Sequence, residues 1–78
     1  MATTLGSKRH RTLIALLIER RKAAGMTQAQ LADRLGKSRS FIARLERGKR
    51  RVYVVELLEL AQALGFDAGK VVAAVRKV

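Results

Sequence analysis

Four glycines, Gly25, Gly36, Gly48 and Gly65, cut the chain into short segments, and each falls where a run of helically spaced apolar residues stops. A glycine just past the last periodic residue ends a helix well, because it adopts the left-handed closing turn without a side-chain penalty. No proline interrupts the segments between them. A chain of 78 residues punctuated in this way makes one small domain of short helices around a single core. With no cysteine, neither a disulfide nor a thiolate metal site can supplement that core.

The pattern predicts five helices, hence an all-α fold. The first runs from about Lys8 to Ala24, with Leu13, Leu17, Arg21 and Ala24 on one stripe and Ile14 and Ile18 beside it. Thr27 followed by Gln30 is a capping-box pattern that opens a second helix, whose Leu31, Ala32 and Leu35 turn inward. Ser38 is an N-cap candidate for a third, with Ile42 and Leu45 facing the core. Val54 to Leu64 forms a fourth, with Leu57, Leu58, Ala61 and Leu64 at buried spacing. Asp67 can cap a last helix from Ala68 to about Arg76, whose Val71, Val72 and Val75 form an apolar face. Residues 1–7 read as a flexible lead-in and residues 8–78 as a single domain.

Charge narrows the class of partner. The chain has 17 basic and 6 acidic residues, a formal net charge of +11. An asymmetry of that size points to an anionic partner, either nucleic acid or an acidic membrane surface. The apolar run Leu13 to Ile18 is too short to span a bilayer, and the charges of the first helix gather at its ends rather than along one face. The expectation is therefore a cytoplasmic protein without a membrane partner. Catalysis has little support: His10 is the only histidine and is expected at the surface, and the carboxylates are scattered. No metal-ligand spacing and no phosphate-cradling glycine loop is present, so neither enzyme activity, metal nor cofactor is expected. Two Phe and one Tyr argue against single-strand or RNA recognition, which relies on exposed aromatics.

The segment Gln28 to Arg47 is two short helices joined by a glycine-containing turn, the layout of a helix-turn-helix. The words "MTQAQLADRLGKSRSFIARLERGKR" and "VVELLELAQALG" resemble the phage-repressor-like (XRE-type, Cro-like) helix-turn-helix DNA-binding family. The resemblance covers roughly Leu13 to Asp67. It implies a compact five-helix, lambda-repressor-like domain, usually a homodimer, that binds a palindromic double-stranded DNA operator and regulates transcription. The chain departs from the family pattern at Lys37, where an apolar residue is common, and at Val52 and Tyr53, where Pro and a small polar N-cap are usual.

In such units the second helix enters the major groove, N-terminal end first. Here that places Arg39, Ser40 and Arg44 at base edges, with the two arginines suited to bidentate contact with guanine. Phosphate contacts are expected from Gln28 and Ser38 at helix starts, and from Lys37, Arg47, Lys49, Arg50 and Arg51. Lys8, Arg9 and Arg11 can add a flexible basic arm. The family pattern also pairs Glu46 with an arginine of the first helix, here Arg21. Surplus apolar surface on the last helix suggests an isologous dimer through residues 67–78, with Phe66, Val71, Val72 and Val75 at the interface. The expected role is a repressor, an antitoxin-like autoregulator or a restriction–modification controller; the rival is a nonspecific architectural nucleoid protein.

Overall fold

The computed structural model describes residues 5–78, which form five α-helices and, among the described residues, no strand. They are α1 (Lys8–Ala23), α2 (Gln28–Leu35), α3 (Arg39–Glu46), α4 (Val54–Leu64) and α5 (Ala68–Arg76). Their starts follow from local side-chain chemistry. At α2 the box is complete: Thr27 Oγ1 accepts the Gln30 N–H at 3.1 Å, and Gln30 Oε1 accepts the Thr27 N–H at 2.9 Å. Ser7 caps α1, Ser38 caps α3, and Asp67 caps α5 through a 2.8 Å bond from the Gly69 N–H. The turn between α2 and α3 is closed by Gly36 at φ +68°, after which the Lys37 N–H reaches back 2.9 Å to the Ala32 carbonyl.

α2 and α3 pack on each other, α1 packs on α3 and α5, and α4 packs on α2 and α5. The core between them is Ile14, Leu17, Leu31, Ala32, Ile42, Leu45, Leu57, Leu60 and Val71. Ile42 on α3 has no solvent exposure at all, so the inner side of α3 is fixed by burial on every flank.

Four sequence expectations are corrected. Leu58 is exposed and Leu60 is buried instead, because the inward stripe of α4 runs through Leu57, Leu60 and Ala61. Val71 lies in the core, only 2% exposed, and cannot serve a partner; only its neighbours Val72 and Val75 remain accessible. His10 is buried rather than at the surface, with its ring beside Gly48. The basic residues of the expected arm lie within α1, and Arg9 fastens the end of α5 by donating to the Val78 and Arg76 carbonyls at 3.1 Å each. Of the expected flexible lead-in, residues 1–4 lie outside the described residues.

Candidate nucleic-acid interface

α3 is amphipathic by position. With about 100° between successive residues, Ile42 and Leu45 define the inward side and Ser40 lies nearly opposite. Arg39 and Arg44 flank Ser40, and all three are exposed. The Ser40 hydroxyl stands 3.1 Å from that of Ser38, so its hydrogen bonding is shared with the helix cap.

What holds this helix in place is a three-helix junction on Glu46. Arg21 of α1 donates from Nε to Glu46 Oε2 at 2.6 Å and from Nη2 to Oε1 at 3.0 Å, while its Nη1 reaches the Met26 carbonyl at 2.8 Å. Gln28 of α2 donates from Nε2 to Glu46 Oε1 at 3.0 Å. The Arg21 and Glu46 side chains are 12% and 7% exposed, so water screens the pair weakly. The hydrogen bond to Glu46, opposed by burial and helped by the carboxylate charge, holds the Arg21 guanidinium above its ordinary range. One consequence concerns Gln28: its amide points at Glu46, so the start of α2 offers an anion chiefly the backbone N–H groups of its first turn.

A second cluster gathers Arg50, which was expected to meet phosphate freely. Its Nη1 and Nη2 donate to Glu56 Oε1 and Oε2 at 2.8 and 3.0 Å. Its guanidinium carbon stands 4.5 Å from the centroid of Phe41 on α3 and 5.9 Å from that of Tyr53. Lys37 adds a second cation 5.3 Å from the Phe41 ring. Glu56 Oε1 also accepts the Tyr53 N–H at 3.1 Å. That bond starts α4 although Tyr53 supplies no side-chain cap, which answers the departure from the family pattern at Val52 and Tyr53. The Glu56 carboxyl is lowered below its ordinary range, first by the bond from Arg50, against burial, and then by the Tyr53 N–H and the charges of Arg50 and Lys37. Sequence reasoning missed Glu56; the available signal was an acid in the first turn of α4 six residues after a basic one.

The remaining expected phosphate ligands, Lys37, Ser38, Arg47, Lys49 and Arg51, are all exposed around α3 and the turn that follows it. Among the described residues, no group of acidic residues or histidines stands ready to hold a metal, and no helix is long and apolar enough to cross a membrane.

The family model described as helix-turn-helix matches residues 17–71. The chain belongs to the XRE-type helix-turn-helix family. Among curated proteins, this XRE-type chain is 47% identical over 45 residues to an uncharacterized HTH-type transcriptional regulator, y4dJ, of Sinorhizobium fredii. The matched stretch is 58% of either chain, so the likeness spans little more than half of that relative. Solved structures extend it over most of the fold. An XRE-family like protein from Pseudomonas syringae pv. tomato superposes with a TM-score of 0.82 at 36% identity, covering 88% of this chain and 84% of that one. The clp gene regulator ClgR of C. glutamicum gives 0.79 at 27% identity, covering 91% and 92%. The restriction-modification controller protein C.AhdI of Aeromonas hydrophila gives 0.69 at 34% identity, covering 83% and 99%. The XRE-type family is one of DNA-binding transcription regulators, which is not an enzyme class.

Proposed function

We propose that the chain binds double-stranded DNA sequence-specifically and regulates transcription by occupying a palindromic operator. The observation that carries this reading is the outer face of α3. It exposes Arg39, Ser40 and Arg44, spread over about 140° of the helix circumference, while Glu46 fastens the same helix to α1 and α2. Arg39 and Arg44 each suit the O6 and N7 acceptors of guanine. Lys37, Arg47, Lys49 and Arg51 meet the flanking phosphates, and the starts of α2 and α3, at Gln28 and Ser38, add backbone donors. The reading places the protein in the cytoplasm and needs no cofactor. Three roles suit it: repressor, antitoxin-like autoregulator and restriction–modification controller. The likeness to C.AhdI supports the last.

Selection of bound sites from random duplexes tests the reading. The expected product is a palindrome with half-sites about one helical turn, roughly 34–36 Å, apart. If each subunit neutralises roughly four phosphates, a dimer neutralises about eight, and log K falls with log[salt] at a slope near −7. Recovery of no common sequence would leave a nonspecific architectural binder. A flat salt dependence would remove the phosphate contacts.

The operator's symmetry requires a second subunit, and the reading assigns it to the α4–α5 side. Val72 is 53% exposed there, beside Val75 and Leu13 in an apolar cleft between α1, α4 and α5, with Arg9 and Arg76 at its rim. Val54, Val55 and Leu58 add exposed apolar surface on α4, the helix expected to lie at the edge of the interface. Phe66 is half-buried against the core, under the cation of Arg20 at 6.0 Å, and contributes at most an edge. Sedimentation at micromolar concentration is expected to show a dimer that Val72→Glu converts to a folded monomer. A parent chain that stays monomeric at high micromolar concentration, with or without operator, rejects this interface.

A further inference from the structure

Among the four basic residues that follow α3, Arg47, Lys49 and Arg51 are exposed, whereas the Arg50 side chain is only 21% exposed. Both of its terminal nitrogens are bonded to the two oxygens of one carboxylate, the fork-to-fork geometry that is the strongest form of the pair. Its flat face lies on Phe41, which belongs to α3, and Glu56 belongs to the first turn of α4. The guanidinium therefore joins the reading helix to the next helix. Glu56 takes one N–H from each terminal nitrogen, and a phosphate approaching the remaining donors would meet a guanidinium whose charge that carboxylate already offsets.

We propose that Glu56 is a specificity-determining residue of the DNA-binding face: it withholds Arg50 from the phosphate backbone and keeps it as a clip between Phe41 of α3 and the start of α4. The proposal rests on the DNA-binding reading above. Its effect is to subtract one sequence-independent contact per subunit and so raise the share of affinity that comes from base reading. An extra phosphate contact strengthens binding to every duplex alike, right or wrong.

Glu56→Gln isolates the charge, because the amide oxygen can still accept the Tyr53 N–H but cannot hold the guanidinium as a carboxylate does. Binding is measured to the selected operator and to a random duplex of equal length across a salt series, with thermal melts confirming that each variant is folded at the assay temperature. With Arg50 released, the salt slope is expected to steepen by about 0.9 per subunit, and random-duplex binding to tighten about fivefold per subunit at 0.15 M salt. The operator-to-random ratio is expected to fall. Adding Arg50→Gln to Glu56→Gln should return the slope to the parent value. A variant that binds every duplex more weakly at an unchanged slope marks Glu56 as a brace only and overturns the proposal. The double variant leaves neither charge bare and decides the matter even if Glu56→Gln alone does not fold. It should leave the parent slope unchanged, and a slope shallower by about 0.9 per subunit would make Arg50 an ordinary phosphate ligand. The parent is measured first: no operator preference or no salt dependence there would sink the DNA-binding reading, and this proposal with it, before any variant is compared.

Discussion

Glu46→Ala is expected to destabilise the domain by about 3 kcal/mol, at the low end of what removing one partner of a buried ion pair costs. The loss exceeds that of a surface pair because Arg21 and Gln28 both lose their acceptor in a place where water reaches poorly. It stays at the low end because Arg21 keeps its bond to the Met26 carbonyl. A domain of this length has about 4–12 kcal/mol of total stability, so the change is a large fraction of it. The melting temperature should drop by roughly 12–24 °C. The double replacement of Arg21 and Glu46 by methionine should recover most of that, since no charge is then left without a partner. If Glu46→Ala melts within a few degrees of the parent, the junction is screened like an exposed pair and does not set the position of α3.

Arg39→Ala and Arg44→Ala are expected to relax base preference rather than weaken binding uniformly. A bidentate arginine contact to guanine is worth about 1–3 kcal/mol of discrimination, and a symmetric dimer loses it twice, so operator affinity should fall by about 2–6 kcal/mol. Random-duplex affinity should change far less, because the exposed cations around α3 remain. Lys49→Ala is the counterpart: a similar proportional loss on both duplexes and a salt slope shallower by about 0.9 per subunit. Competition titrations with operator and random duplexes separate the two patterns. Equal losses on both duplexes for Arg39→Ala and Arg44→Ala would mean that these side chains touch only the backbone.

The helix boundaries were legible because their causes are local. Thr27, Ser38 and Asp67 bond to N–H groups two or three residues away, and Gly36 needs nothing beyond its own backbone to turn the chain. The phase of α4 was not legible to the same degree. "VVELLELAQAL" offers apolar residues on several faces, and only the packing of α2 and α5 against it selects Leu57 and Leu60 over Leu58. Adjacent Val71 and Val72 pose the same problem on α5: the choice of which one turns inward belongs to α1. The basic neighbours of His10 in sequence suggest a surface residue, yet the ring is buried, beside the turn at Gly48 far away in sequence. Arg50 shows the limit most plainly. A run of basic residues announces a preference for anions, but which member is turned back depends on a carboxylate in the next helix and a ring in the previous one.

His10 and Arg21 stand eleven residues apart on α1, close to three full turns, so they emerge on the same side of one rod. The first is buried beside Gly48 and the second grips Glu46, on either side of the end of α3. The ion pair fastens one side of that end and the buried ring packs on the other, so on the proposed DNA-binding reading α3 meets the groove as a braced rod. The adjustment then falls to the duplex. On that reading, steps that kink or narrow easily are expected to be favoured at positions no side chain touches, and a selected operator is expected to carry a signature of DNA stiffness alongside its guanines.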